Sequence, residues 1–293
     1  MSADQAATPI EEHPARPERS TGTDPADPRQ TAQLAADLAA VGVRAGQDLL
    51  VHCSMRRIGP VAGGPATLLA ALRRVAGPEA TVVVPAQTAG NSTTSPAFRA
   101  ATERLDAAGR AAYEATLPGF DPASTPSEGM GIFAEYLRRQ PGAARSAHPI
   151  TSFAALGRRA VAFTEVHDLD CHLGERSPLG RLYAAGAAVL LLGVGYARCT
   201  ALHLAEYRPD ARRPPGPPPQ RAYRCYVLAD GRRERRDFRA PVLDMSDFSE
   251  VGAAIDRSLP VGHGPVGAGT ARLVDLRSAV DFATTWMAEH RRP

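Results

Sequence analysis

The chain has 293 residues, enough for one large α/β domain or two small ones, with ample material for a core. Its 44% hydrophobic and 22% charged content is that of an ordinary globular protein, and a net charge of +3 is too small for a dedicated nucleic-acid binder. Every residue in the Lys+Arg count is arginine, which excludes a covalent lysine mechanism, and no apolar run approaches the roughly 18 residues of a membrane span.

Residues 1–28 are rich in Pro, Asp, Glu and Thr, lack an apolar signal core, and are expected to form a disordered tail on a cytoplasmic protein. Residues 29–293 are expected to form a single domain. Leu34, Leu38 and Val41 predict a helix over 31–41, ended by Gly42 and Gly46. DLLVH (48–52) reads as a strand, 53–64 as a glycine-bearing loop, and 65–75 as a helix that begins with Pro65. Free N–H groups at such a helix start, with Arg56 and Arg57 beside them, make an anion site; the plainer reading is a βα turn with two surface arginines. ATVVVP (80–85) is a second buried strand. A helical stretch (97–116), a loop (119–130), a helix (131–140) and a short strand after His148 follow. Residues 166–179 form an acidic loop leading into a short helix. Residues 212–219 read as an extended linker, and 222–228 and 234–242 as a hairpin turning at Asp230-Gly231. A helix (246–259), a glycine-rich loop with His263 (261–269) and a last helix (273–288) complete the chain. The hairpin suggests a small antiparallel subdomain over about 220–260. Cys53, Cys171, Cys199 and Cys225 are widely spaced, as reduced thiols are.

The centre of the sequence is LLLGVGYARCTALHLAE (190–206). A buried strand, a glycine turn and a helix capped by Thr200 would place His203 just beyond the carboxyl end of a strand, where α/β sheets bind ligands. Glu206, three residues on, shares a helical face with His203 and can fix its tautomer. A surface helix with both side chains in solvent is the plainer reading of that spacing.

Taken in order, VHCSMRRIGPVAGG, FDPASTPSEGMG, RSAHPITSFAALG, HDLDCHLGERSPLGRL, LLLGVGYARCTALHLAE and GPVGAGTARLVDLRSAVDFATTW resemble blocks of the aminoglycoside 3-N-acetyltransferases, over roughly residues 30–290. The resemblance implies an α/β fold with a central mixed sheet flanked by helices. That fold is distinct from the other large acetyltransferase class, whose [RQ]-x-x-G-x-[GA] loop residues 56–61 fail to match. It implies acetyl transfer from acetyl-CoA to an amine of an aminoglycoside, with no metal or redox cofactor, no nucleic-acid or membrane partner, and a homodimer left open. It makes His203 the catalytic base. It assigns Ser54, Met55, Arg56, Gly63, Gly64, Ser146 and Ser152 to the CoA site, and acidic loops to the cationic sugar; Asp168, Asp170, Glu175 and Asp121 are the candidates. Thr200 or loop N–H groups are candidate donors to the developing oxyanion.

Two departures stand out. Cys53 replaces a usual Ser, and where many members carry F-E-E-F-D after the late hairpin this chain reads FRAPVLD (238–244), keeping only Asp244 and Asp247. The second departure suits a less cationic acceptor, as in a biosynthetic or self-protecting N-acyltransferase. Two further readings compete: a zinc hydrolase, from the i,i+4 pairs Cys199/His203 and His167/Cys171, and a non-catalytic binding module, against which the retained His203 and Glu206 argue.

Overall fold

The computed structural model describes residues 25–208 and 219–291. The rest of the expected tail (1–24) and most of the expected linker (212–218) lie outside the described residues. Helix α1 (Pro28–Val41) starts three residues before its predicted onset, because Asp27 caps it by accepting the Gln30 N–H at 2.7 Å and Pro28 suits a first-turn position. Asp27 donates its own N–H to Thr67 Oγ1 at 2.8 Å, so the end of the expected tail is tied to helix α2 (Gly64–Ala76).

Strands β1 (Leu49–Cys53), β2 (Thr81–Pro85) and β5 (Ala188–Leu192) are the continuous apolar runs of the sequence. They pair in parallel in the order β2-β1-β5 and are buried on both faces, which is why their sequences do not alternate. Odd and even residues feed different cores. Leu49, Val51, Val82, Val84, Leu190 and Leu192 pack with α1, α2 and α5 (Ile132–Arg138) on one side. Leu50, Val83, Val189 and Leu191 face α6 (Ala160–Thr164), α7 (Pro178–Ala185), α8 (His203–Tyr207), α9 (Phe248–Ser258) and α10 (Leu276–His290) on the other. This is a three-layer α/β sandwich. On one edge β4 (Phe153–Gly157) pairs antiparallel with β2 and β3 (Ala144–Arg145) antiparallel with β4; on the other β9 (Gly269–Asp275) pairs antiparallel with β5 and β8 (Val261–Val266) antiparallel with β9. The mixed sheet has seven strands, and β6 (Gln220–Ala229) with β7 (Arg232–Pro241) forms a separate antiparallel pair.

Several expectations are corrected. The segment expected as a glycine loop and helix start is the β8–β9 hairpin. Its glycines do not signal a loop; they let β8 lie against α1. A β-carbon on Gly262 would sit 1.9 Å from the Val41 carbonyl oxygen. Gly262→Ala is therefore expected to destabilise the fold by about 1–3 kcal/mol through overpacking, seen as a lowered thermal midpoint; an unchanged midpoint would remove this account of the glycine. The helix expected over 97–116 is two, α3 (Pro96–Thr102) and α4 (Ala107–Ala115), because Asp106 caps a new start at the Gly109 N–H. The hairpin does form a small unit, bridging Ser92 and Phe120, but α9 does not belong to it: Phe248, Val251 and Ile255 join the main core. All four cysteines are free.

Candidate active site

The connection after β1 runs to β2 on one side, whereas β5 lies on the other. The crevice at the carboxyl ends of β1 and β5 is thus a topological switch point, where open α/β sheets take their ligands. A cleft of about 770 Å³ opens there, lined by Ser54 and Met55 after β1, Gln87 after β2, the 129–134 segment, Thr200 and His203 after β5, and Leu243 and Met245 after β7. Gly193, with φ 63°, makes the turn out of β5; a β-carbon there would meet the Arg57 side chain at 2.9 Å.

The chain leaves β5 through two short 3₁₀ turns, Tyr196–Arg198 and Thr200–Leu202, before α8 begins at His203. Thr200 is therefore not the predicted helix cap. Its Oγ1 lies 3.3 Å from His52 Nε2, and both residues line the cleft. Burial pushes His52 down to about 3, so its ring is neutral. His203 is buried except where it meets the cleft, and its ring packs on Phe248 with centroids 4.7 Å apart. His203 Nδ1 stands 2.5 Å from Glu206 Oε2. The other Glu206 oxygen accepts the Asp244 N–H at 2.9 Å and Arg291 Nη1 at 2.6 Å. A carboxylate among such donors can only accept, so Nδ1 carries a proton, and in the neutral tautomer this leaves the lone pair on Nε2. The surface-helix reading of this pair is excluded by its burial.

Of the residues the resemblance assigned to CoA, Ser54, Met55 and Arg56 line the cleft. Ser146 and Ser152 do not. Both are fully buried: Ser146 Oγ bonds His167 Nδ1 at 2.9 Å, and Ser152 Oγ donates to the Ala86 carbonyl at 2.7 Å. Gly63 and Gly64 also lie off the cleft, at the start of α2, where the 25–27 segment packs on Gly63; a β-carbon on Gly63 would meet the Pro25 carbonyl oxygen at 2.3 Å. The helix start expected to hold an anion therefore lies away from the cleft, whereas the neighbouring arginines line it. Arg57 and Arg198 line the cleft with Arg56, and Arg198 carried no sequence signal beyond lying in the central block.

None of the four candidate acids lines the cleft. Arg176 takes both Asp168 and Asp170, at 2.5 and 2.6 Å. Glu175 pairs with Arg208 at 2.7 Å, and Asp121 accepts from Ser124 Oγ and the Ala123 N–H within its own loop. Local arginines and N–H groups satisfy these loop charges, a competition that spacing alone does not show. Cys53 lines the cleft, but burial raises its thiol to about 12, so it is not a thiolate nucleophile. The i,i+4 Cys/His pairs do not build a metal centre: no group of three or more His, Cys, Asp or Glu is placed to hold an ion among the described residues. His148 is buried beside His167 and His172, with centroid distances of 4.6 and 4.7 Å, rather than at the cleft.

A family model described as aminoglycoside 3-N-acetyltransferase matches residues 50–288. The chain belongs to the aminoglycoside 3-N-acetyltransferase family. It is 38% identical to aminoglycoside N(3)-acetyltransferase VII of Streptomyces paromomycinus over 88% of this chain and 91% of that one. Among solved structures it is similar to the YokD protein of Bacillus subtilis, with a TM-score of 0.81 and 31% identity over 92% of this chain and 95% of that one. It is also similar to AAC-IIIb solved as a binary complex with CoASH, with a TM-score of 0.77 and 31% identity over 90% and 98% of the two chains. The family fold expected from the ordered blocks is the fold observed. No helix among the described residues of this family member is long and apolar enough to cross a membrane.

Proposed function

We propose that this chain transfers the acetyl group of acetyl-CoA to the 3-amine of the 2-deoxystreptamine ring of an aminoglycoside, in the cytoplasm, by direct attack with His203 as general base. The observation that carries the reading is an imidazole that lines the cleft and is held on Nδ1 by the Glu206 carboxylate. The amine nitrogen forms the new C–N bond at the thioester carbonyl. Its proton passes to His203 Nε2, the C–S bond breaks, and CoA leaves as the thiol by recovering that proton. Thr200 Oγ1 and the N–H groups of the turns after β5 are the candidate donors to the oxyanion. Guanidinium groups of Arg56, Arg57 and Arg198 suit the phosphates of CoA, and Met55, Ile132 and Phe133 suit its pantetheine arm.

A second reading, an acceptor with fewer cationic groups in biosynthesis or self-protection, is favoured by one observation: the cleft lining contains three arginines and no carboxylate among the described residues. Thiol release from acetyl-CoA, measured across aminoglycosides with and without a free 3-amine and across neutral amino sugars, separates the two. Turnover confined to acceptors with a free 3-amine supports the first. Faster turnover on neutral amines supports the second, and no release on either group defeats both.

A further inference from the structure

Arg291 follows α10, 85 residues along the chain from Glu206, yet its guanidinium lies behind the His203–Glu206 pair. Nη1 donates to Glu206 Oε1 at 2.6 Å. Nε and Nη2 fork onto the two Asp247 carboxylate oxygens at 2.7 and 2.6 Å, and Nη2 also donates to the Asp244 carbonyl at 2.7 Å. One planar group therefore ties the end of α10 to α8, to the residue preceding α9, and to the segment that replaces the family's acidic run. The Glu206 side chain is only 7% exposed, so solvent and salt screen this pair little. Arg291 does not line the cleft.

We infer that Arg291 is a positioning residue for acyl transfer: it fixes the Glu206 carboxylate on His203 Nδ1 and offsets its charge, so that the imidazole stays neutral and able to accept a proton. The inference rests on His203 being the base. A carboxylate alone would orient the ring but would also favour its protonated form, which cannot act as a base. The groups around His203 show the balance. Glu206 on its own helix and Asp244 on the segment after β7 are acidic, with Asp247 behind them. His172, from the loop before α7, is held neutral by burial, and His52 beyond Thr200 is neutral too. Phe248 from α9 offers only an apolar face. Among the described residues, Arg291 is a cation bonded to both Glu206 and Asp247 of this acidic group. A lysine reaches one carboxylate at a time, whereas the guanidinium fork holds both.

The test uses Arg291→Gln and Arg291→Lys, read by the pH profile of kcat/KM and by imidazole ¹⁵N NMR of His203. In R291Q the acid limb of the profile is expected to move up by about one pH unit. Turnover then falls by up to about tenfold well down the acid limb and recovers toward the parent at high pH, with KM for acetyl-CoA unchanged. R291K is expected to lie between the two. A uniform loss at every pH, or the parental profile, would reduce Arg291 to a structural anchor and overturn the inference. The NMR titration needs no turnover. If no amine is acylated, a His203 midpoint raised in R291Q still supports the charge offset, and an unmoved midpoint overturns it, so failure of the acyltransferase reading is distinguishable from failure of this one.

Discussion

Replacing His203 by alanine is expected to lower kcat/KM for acetyl transfer by about 10²–10⁴-fold, the usual worth of a positioned general base, while the dissociation constant for acetyl-CoA changes little. The split follows from the geometry. The donor-binding candidates Ser54, Met55 and Arg56 follow β1, whereas His203 opens α8 beyond β5. Alanine removes the lone pair that would take the amine proton but leaves the β1 loop in place. What remains of the rate would come from holding amine and thioester together. The Glu206→Gln variant should lose less, because an amide oxygen can still accept from Nδ1 but no longer stabilises the imidazolium formed during attack. Steady-state kinetics on the best acceptor, with isothermal titration of CoA, checks both. Equal turnover by H203A and the parent would leave His203 without a catalytic role, and a large loss of CoA affinity would move it into the binding site.

The elements legible in the sequence were those whose signal is local. The apolar runs of β1, β2 and β5 and the glycines after them placed the crevice, and the three-residue spacing of His203 and Glu206 survives as a hydrogen bond of 2.5 Å. What failed depends on partners distant in the chain. Gly262 and Gly264 read as a loop because the helix that accommodates them, α1, ends more than two hundred residues earlier. Ser146 and Ser152 belong to a plausible binding block, but their hydroxyls point inward to His167 and Ala86. Asp168 and Asp170 formed an acidic cluster on paper; Arg176, in the same loop, occupies both. Arg291 gave no signal, because its meaning lies wholly in the return of α10 to α8. The acids missing after β7 matter in a way the sequence could only pose as a question: that segment does reach the dyad, through the Asp244 N–H on Glu206.

Acid should unfold this protein well before its carboxylates are neutralised. His52, His148 and His172 are buried, and His167 is packed among them. Burial holds His52 and His172 down to about 3 and His167 to about 4, and holds His148 well below the usual range, helped there by the neighbouring rings. In the unfolded chain each would take up a proton near pH 6.5. Folded values below unfolded ones mean that the unfolded state binds more protons under pH 6.5. The stability these neutral rings contribute is therefore complete above pH 6.5 and is lost as pH falls toward the folded values. At pH 4.5 the loss is about 2–3 kcal/mol each for His52, His167 and His172, on the order of 7 kcal/mol together, which is comparable to the whole stability of an ordinary domain; His148 acts in the same direction. The expected result is a thermal midpoint that is flat from pH 8 to 7 and falls steeply between 6.5 and 4.5. His172→Phe should make that fall shallower. Its Nε2 is buried without a hydrogen-bond partner among the described residues, so the substitution breaks no bond there, and a phenyl ring suits the contacts with Tyr223 and Phe238. A midpoint that stays level down to pH 5, or an equal slope in H172F and the parent, would show that these imidazoles do not control the acid limit.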